Sequence, residues 1–263
     1  MTILGLGGEG ILRTYGYDRE AAALINLALD QGVTYCESAR AYAGSETYYG
    51  QALRERRRDI FLTSKSHARD REGALTHLHE TLRNLQTDYL DLWQVHDVRT
   101  TADIAAIFGP DGAIEAFQSA RKQGLTRFIG VTGHHDPAIL KSCLELFPFD
   151  TVLMPVNPAE AAYRSFTHHV LPLALTQGLG VIGMKVYLHG LATHLPGADG
   201  MEEFFRYALS QPVSTVVIGC DGLHQLAENV RFAESFTPLA AQEIAGLEGR
   251  IAPVARQLMY YKP

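Results

Sequence analysis

Residues Tyr35–Tyr42 read YCESARAY, and the fold turns on how that stretch is parsed. Val33, Tyr35 and Cys36 are apolar or aromatic and lead straight into a carboxylate, Glu37. Five residues on, Tyr42 stands beside Ala43-Gly44. Such a run reads as a short buried strand opening into a loop, with an acid at the strand's end and a phenol in the loop. Two further runs end in the same way, IFLTSK on Lys65 and YLDLWQVH on His96. An acid, a phenol, an amine and an imidazole at the ends of successive strands can converge on one rim.

Working outward, the chain alternates short β-rich runs with amphipathic segments. Strands are predicted over Thr2–Gly7, Val33–Glu37, Ile60–Lys65, Tyr89–His96, Arg127–Thr132, Thr151–Val156, Gly180–Val186 and Thr215–Gly219. The runs FIGVTG, TVLMPVN, GVIGMKV and TVVIGC are apolar almost throughout, as strands buried on both faces of a parallel sheet must be. Between them, Asp18 is placed to cap REAAALINLALDQG, and Ser45-Glu46 to open the segment ending near Arg54. Arg71–Leu85 carries Leu75, Leu78, Leu82 and Leu85 on one stripe. Asp111-Gly112 precedes AIEAFQSARKQG, and Asp136-Pro137 starts AILKSCLELF. Further helices are expected near 167–177, 201–209, 223–235 and 240–258. Eight strands alternating with eight helices over residues 1–263, without a linker of biased composition, predict one α/β domain, a closed (β/α)8 TIM barrel. An open doubly wound sheet stays open as the alternative, because alternation alone does not prove closure.

Composition narrows the function classes. The chain has 263 residues, 46% of them apolar, and a net charge of -6, so a full core is affordable in one barrel and nucleic acid is not an expected partner. The basic cluster Arg54–Arg58 reads as a solvated helix end. No apolar stretch reaches the ~20 residues a bilayer demands. The start MTILGLGGEG does not read as a signal peptide, so a cytoplasmic protein without membrane contact is expected. Cys36, Cys143 and Cys220 are scattered and read as buried thiols. The pairs His134-His135 and His168-His169 cannot easily face one ion, so no metal is expected. His77 and His79 read as exposed helix residues, Trp93 as core, and Tyr15 and Tyr17 as either pocket lining or solvent-facing.

In a barrel of this kind chemistry sits at the C-terminal ends of the strands, where Glu37, Lys65 and His96 fall on three consecutive ones. An amine at the end of a buried strand needs a partner, and Glu37 supplies one. A phenol beside that ammonium has its phenolate stabilised, and a neutral imidazole can orient a carbonyl oxygen. The set makes a general acid for carbonyl reduction; since no side chain donates hydride, a nicotinamide cofactor is implied.

These residues resemble the aldo-keto reductase superfamily, as a bacterial-type, short-loop member, over essentially the whole chain. The matching segments are GVTYCESARAY, GSETYYGQAL, IFLTSK, LRNLQTDYLDLWQVH, RKQGLTRFIGVTG and VSTVVIGCDGLHQLAENV. The resemblance implies Tyr42 as proton donor, Lys65 as its pKa-lowering partner, His96 as carbonyl orienter and an acid at Glu37. It also implies a nicotinamide dinucleotide lying extended across the barrel mouth, without a Gly-rich fold; the Gly5–Gly10 cluster indeed fails the strand–GxGxxG–helix pattern.

The departures are specific. The family's acid at position 37 is normally aspartate, so Glu37 adds a methylene that can misplace the amine. Its Ser-Asn after the fifth strand is here Thr132-Gly133, and its glutamine on the sixth strand falls at Leu153, with Asn157 beyond. Thr132, His134 or Asn157 is therefore expected to hold the carboxamide. Lys185 after the seventh strand adds charge near the pyrophosphate or points to solvent. After the eighth, Gly219, Asp221, Gln225, Glu228 and Asn229 fall at the adenosine end. The family's basic residues there are missing, and Asp221 can accept from a ribose hydroxyl. The resemblance leans towards NADP(H), with NAD(H) open.

The expected substrate is a small aldehyde or ketone, reduced reversibly in an open, permissive pocket; no oligomeric state is legible. Two rivals stay open here. One is a weakly active or inactive cofactor-binding sensor or partner subunit, motivated by Glu37 and the altered carboxamide grip. The other is a lyase or isomerase using Lys65 as a Schiff base.

Overall fold

The computed structural model describes residues 1–195 and 200–263. The expected strands form, with ends shifted by a few residues: β1 (Leu4–Gly10), β2 (Tyr35–Glu37), β3 (Phe61–Ser66), β4 (Leu90–Val95), β5 (Thr126–Thr132), β6 (Thr151–Pro155), β7 (Gly180–Met184) and β8 (Thr215–Cys220). They pair in sequence order and close into a barrel. The seam is the parallel pairing of β1 with β8, Leu4 opposite Val216 through Leu6 opposite Ile218. Closure excludes the open doubly wound alternative.

Period-two alternation sorts the strand residues. Tyr35, Leu92, Leu153, Ile182 and Val217 point inward and fill the barrel with Phe61, Phe128 and Met184. The alternate positions Leu6, Cys36, Leu62, Trp93, Val131, Val152 and Val216 face the helices and belong to the main core. Trp93 is fully buried there, stacked 3.7 Å from Phe117. All three cysteines are buried, and desolvation pushes each thiol up to about 12.

The outer layer departs from one helix per strand. It holds α1 (Asp18–Asp30), α2 (Ser45–Leu53), α3 (Arg71–Leu85), α4 (Thr101–Phe108), α5 (Ala113–Lys122) and α6 (Pro137–Leu146), followed by α7 (Phe166–His169), α8 (Leu171–Thr176), α9 (Met201–Ser210), α10 (Leu223–Glu234), α11 (Ala241–Ile251) and α12 (Ala255–Leu258). The additional α4 is opened by a capping box between Thr100 and Asp103, a signal hidden in a polar-looking loop. The segment expected as one helix over 167–177 breaks at Val170, with Pro172 in the first turn of α8. The last one breaks at a 3-10 turn, Ala252–Val254, that holds Pro253. Asp18 is the first residue of α1 and not its cap; Tyr17 takes that place without a side-chain bond. Asp136 does cap α6, accepting from the Ala138 amide at 2.9 Å.

Two polar groups placed at the surface by sequence are engaged instead. Arg57 is buried, ion-paired to Asp91 at 2.9 Å and laid 4.1 Å over the Tyr89 ring. Its pair compensates a carboxylate buried at the start of β4. His77 turns inward from α3, its Nδ1 2.9 Å from the Ser66 hydroxyl, and packs 4.5 Å from His67.

Candidate active site

β2 and β3 place Glu37 and Lys65 on the same rim because Glu37 is in register with Thr63, two residues before Lys65. The two side chains form a fully buried ion pair in direct contact. Glu37 Oε2 also accepts from the Gly8 amide at 3.3 Å. Lys65 Nζ donates to the Ser38 carbonyl at 2.9 Å and to the Tyr42 hydroxyl at 3.3 Å. Burial pulls the Lys65 amine well down; the touching carboxylate works against that pull and keeps the proton within the pair. The extra methylene of Glu37 therefore does not withdraw the amine from Tyr42.

Tyr42 is seated by glycine. A Cβ on Gly8 would lie 2.9 Å from the Glu37 carbonyl and 3.0 Å from the Tyr42 ring, so only a bare Cα lets the phenol reach Lys65. The Lys65 ammonium is also 4.5 Å from the ring centroid. The expected lowering of the phenol is not found. Burial raises it well above the usual phenol value, the Glu9 carboxylate adds to the rise, and Arg13 opposes it. Tyr42 is thus a held proton, the form a general acid requires.

His96 follows β4 with its ring edge-on to Tyr42, centroids 5.8 Å apart. Burial and then the nearby Lys65 charge push its imidazole well below the ordinary value, so the ring is neutral at pH 7. Its buried Nδ1 has no partner among the described residues. The backbone is fixed by Arg69, which donates to the carbonyls of His96 and Asp97, both at 2.8 Å.

The residues expected on the cofactor side are arranged otherwise. The Thr132 hydroxyl accepts from the Asp97 amide at 2.8 Å. The Asn157 side chain donates to the Lys185 carbonyl at 3.2 Å and the Tyr261 hydroxyl at 3.3 Å and accepts from the Ala159 amide. As folded, both amide hydrogens of Asn157 are taken up by protein, while its Oδ1 accepts once and keeps a second lone pair. Asn229 accepts from the Tyr187 hydroxyl at 2.6 Å, and Gln225 accepts from the Asp221 amide at 2.6 Å. Gln225 thus braces the loop after β8, and Asn229 ties α10 to the segment after β7. Glu228 is exposed and pairs with Arg231 at 3.7 Å. Asp221 lines a groove of about 240 Å3 with Arg19 and Glu20 of α1 and Leu223 of α10.

Lys185 does not point to solvent. It sits in the left-handed region, φ 57°, and sends its ammonium 4.8 Å over Tyr261 and 5.4 Å over Tyr260. It has no ion pair among the described residues, and burial lowers its amine. His134 lies 3.5 Å from Asp97, with burial and Lys185 pushing its imidazole down to about 4.

Sequence reasoning missed Glu9, Arg13, Tyr261 and Lys262. Tyr261 and Lys262 form a buried tail. Lys262 Nζ is 2.7 Å from Glu160 and donates to the carbonyls of Tyr163 and Arg164, both at 2.9 Å. The Tyr261 hydroxyl donates to the same carboxylate at 2.7 Å. The only sequence signal was an apolar-aromatic end, QLMYYKP, whose lysine looks solvated. Among the described residues, no group of three His, Cys, Asp or Glu side chains can hold a metal ion, and no helix is long and apolar enough to cross a membrane.

The sequence model of the Aldo/keto reductase family matches residues 3–203. The uncharacterized oxidoreductase YqkF of Bacillus subtilis is 24% identical, with 92% of this chain and 90% of that protein covered. The L-galactose dehydrogenase of Arabidopsis thaliana is 23% identical, with 97% and 92% covered. Among solved structures, the holo form of an aldo-keto reductase from Bacillus halodurans superposes with a TM-score of 0.80 at 24% identity, over 94% of this chain and 91% of that one. An aldo-keto reductase from Klebsiella pneumoniae in complex with NADPH gives 0.79 at 19% identity, over 95% and 91%.

Proposed function

The chain belongs to the aldo/keto reductase family, and from that premise we propose that it is an NAD(P)H-dependent oxidoreductase that reduces a small aldehyde or ketone, with Tyr42 as proton donor. The observation that carries this reading is the Tyr42 hydroxyl, 3.3 Å from Lys65 Nζ and edge-on to the neutral His96 ring at the barrel mouth. A carbonyl oxygen set between Tyr42 and the free edge of His96 accepts from both, which polarises the carbonyl bond. As charge develops on that oxygen, the Tyr42 proton moves to it. The phenolate left behind faces the Lys65 ammonium, whose position Glu37 fixes.

The mouth fits a nicotinamide dinucleotide. Lys185 is an amine without a carboxylate partner among the described residues, and the groove at Asp221 runs beside the start of α10, which has no side-chain cap. The bound cofactor would supply the hydride. Lys185 would meet its phosphates, Thr132 and His134 would border its nicotinamide, and Gly219, Asp221, Gln225, Glu228 and Asn229 would border its adenosine. The relatives' complexes with NADPH and NADP favour NADP(H). Asp221 and Glu20 in the groove leave room for NAD(H), since a carboxylate repels a 2′-phosphate and accepts from a ribose hydroxyl.

The Schiff-base alternative has little support, because the Lys65 amine already meets Glu37, the Ser38 carbonyl and Tyr42. The sensor alternative loses one motive, since Glu37 leaves Lys65 in reach of the phenol. A fluorescence titration with NADPH and NADH, followed by nicotinamide absorbance with a panel of small aldehydes, tests the proposal. Binding with oxidation of the cofactor supports it, and binding without turnover of any aldehyde transfers the case to the sensor.

A further inference from the structure

Side chains from three consecutive loops of the barrel mouth meet Tyr261. His134, after β5, lies edge-on to its ring, with centroids 5.9 Å apart. Asn157, after β6, donates one amide hydrogen to its hydroxyl at 3.3 Å. Lys185, after β7, holds its Nζ 4.8 Å over the ring. The same Asn157 gives its other amide hydrogen to the Lys185 carbonyl at 3.2 Å. Tyr261 therefore grips Lys185 twice, with its ring under the amine and with its hydroxyl, through Asn157, against the backbone.

The ring has little freedom of its own. Its hydroxyl donates to Glu160 at 2.7 Å, and the next side chain, Lys262, is buried on the same carboxylate at 2.7 Å. With the hydroxyl proton given to Glu160, the phenol oxygen faces Asn157 as an acceptor. That fixes the amide with its nitrogen towards Tyr261 and its Oδ1 towards the Ala159 amide. The Tyr261 carbonyl is 3.3 Å from His135 Nδ1. Tyr261 is 7% exposed, whereas Tyr260, 5.4 Å from the same Nζ, is 53% exposed, so the anchored ring is that of Tyr261. A lysine carries its charge on a flexible four-carbon stem unless something fixes the head. An aromatic face within ~6 Å does so, and more strongly where water is excluded.

We propose that Tyr261 is a positioning residue of the barrel mouth: it holds the Lys185 side chain at the rim beyond β7, so that the phosphates of a nicotinamide dinucleotide meet a preset cation and not a mobile one. The proposal rests on the reading of the mouth as a cofactor site. A preset side chain favours affinity because less rotamer freedom is lost when the ligand arrives. Asn157 then serves as the brace between Tyr261 and the Lys185 backbone.

Two measurements on the full-length protein test it, and the first needs no ligand. In 1H–13C spectra the Lys185 ε-methylene, assigned by its loss in Lys185→Met, is expected to lie upfield through the ring current of Tyr261. It should stay there in Tyr261→Phe and return towards the position of an exposed lysine in Tyr261→Leu. The second is a fluorescence titration with NADPH. Tyr261→Leu is expected to raise Kd about tenfold, Tyr261→Phe to leave it close to wild type, and Tyr261→Leu to add nothing further in a Lys185→Met background. A wild-type ε-methylene at the position of an exposed lysine would overturn the proposal, and that result is readable even if Tyr261→Leu does not fold. Additive losses from Tyr261→Leu and Lys185→Met would also overturn it, since the ring would then act on binding by another route. If the wild type binds neither NADPH nor NADH, the cofactor reading fails by itself, and the ring-current shift still decides whether Tyr261 sets Lys185.

Discussion

The half of the barrel from β1 to β4 and the half from β5 to β8 each contain a buried lysine–carboxylate pair, and they use it differently. Lys65 and Glu37 aim an ammonium at a phenol on the open rim. Lys262 and Glu160 turn the same chemistry inward, where the ammonium also meets two backbone carbonyls and the carboxylate also meets Tyr261. A buried ion pair is thus no sign of catalysis in itself. What distinguishes the first pair is a third group, Tyr42, that the pair leaves facing the mouth. In the second half the polar side chains that sequence assigned to cofactor are mostly engaged with protein, Asn157 and Asn229 above all.

The sharpest way to break this contrast is Tyr42→Phe. If Tyr42 is the general acid as proposed, its loss is expected to lower kcat by about 10²–10⁴-fold while the cofactor still titrates normally by fluorescence. Near-wild-type turnover would remove the first half's claim to the chemistry. The paired substitutions Lys65→Met and Lys262→Met come next. Each strands a buried carboxylate and is expected to cost about 3–5 kcal/mol in urea unfolding. Only Lys65→Met is expected to lower kcat per folded molecule by more than tenfold, and equal losses in both would erase the distinction.

Acid stability reads the second half through His134. Its imidazole ordinarily titrates near 6.5 and is pushed down to about 4 by burial and Lys185. Between those values the unfolded chain binds more protons than the folded one, so stability rises with pH across that window. It is complete above about pH 6.5 and is lost progressively as pH falls towards 4, by at most about 3 kcal/mol from this group. His96, also depressed, adds to the same slope. His134→Gln should flatten part of the fall in melting temperature over this range; an unchanged slope would mean that His134 is not held neutral. The smallest effect is expected from Glu37→Asp. Since Glu37 already meets Lys65 and the Gly8 amide, shortening it should change kcat by less than tenfold, and a large gain would show that the glutamate was a handicap.

The legible part of the molecule was the part in which apolar pattern and chemistry coincide. Glu37, Lys65 and His96 stood out because each ends an apolar run, where a charged or basic group needs a reason. The barrel itself was legible from alternation, and its closure only from the pairing of β1 with β8. Glu9 and Arg13 were not legible, because two charged residues four apart near a strand's end match any solvated surface pair. Lys262 was missed for the converse reason: an amine near the end of a chain gives no local hint that a carboxylate 102 positions away is buried to receive it. The roles of Asn157 and Asn229 could not be read because a hydrogen-bonding side chain announces its capacity, and only packing decides the partner.

The bracing of Glu9 against Gly219 reaches into how the protein matures. A Cβ on Gly219 would stand 2.7 Å from the Glu9 Cβ. The two residues belong to the first and last strands, so this corner of the barrel mouth exists only after the ring has closed. Contacts so distant along the chain form late, because loop-closure entropy must be met before they contribute. In a refolding time course, regained helix and sheet signal should therefore precede regained cofactor binding. The return of cofactor binding would then serve as a clock for the closing of the barrel seam.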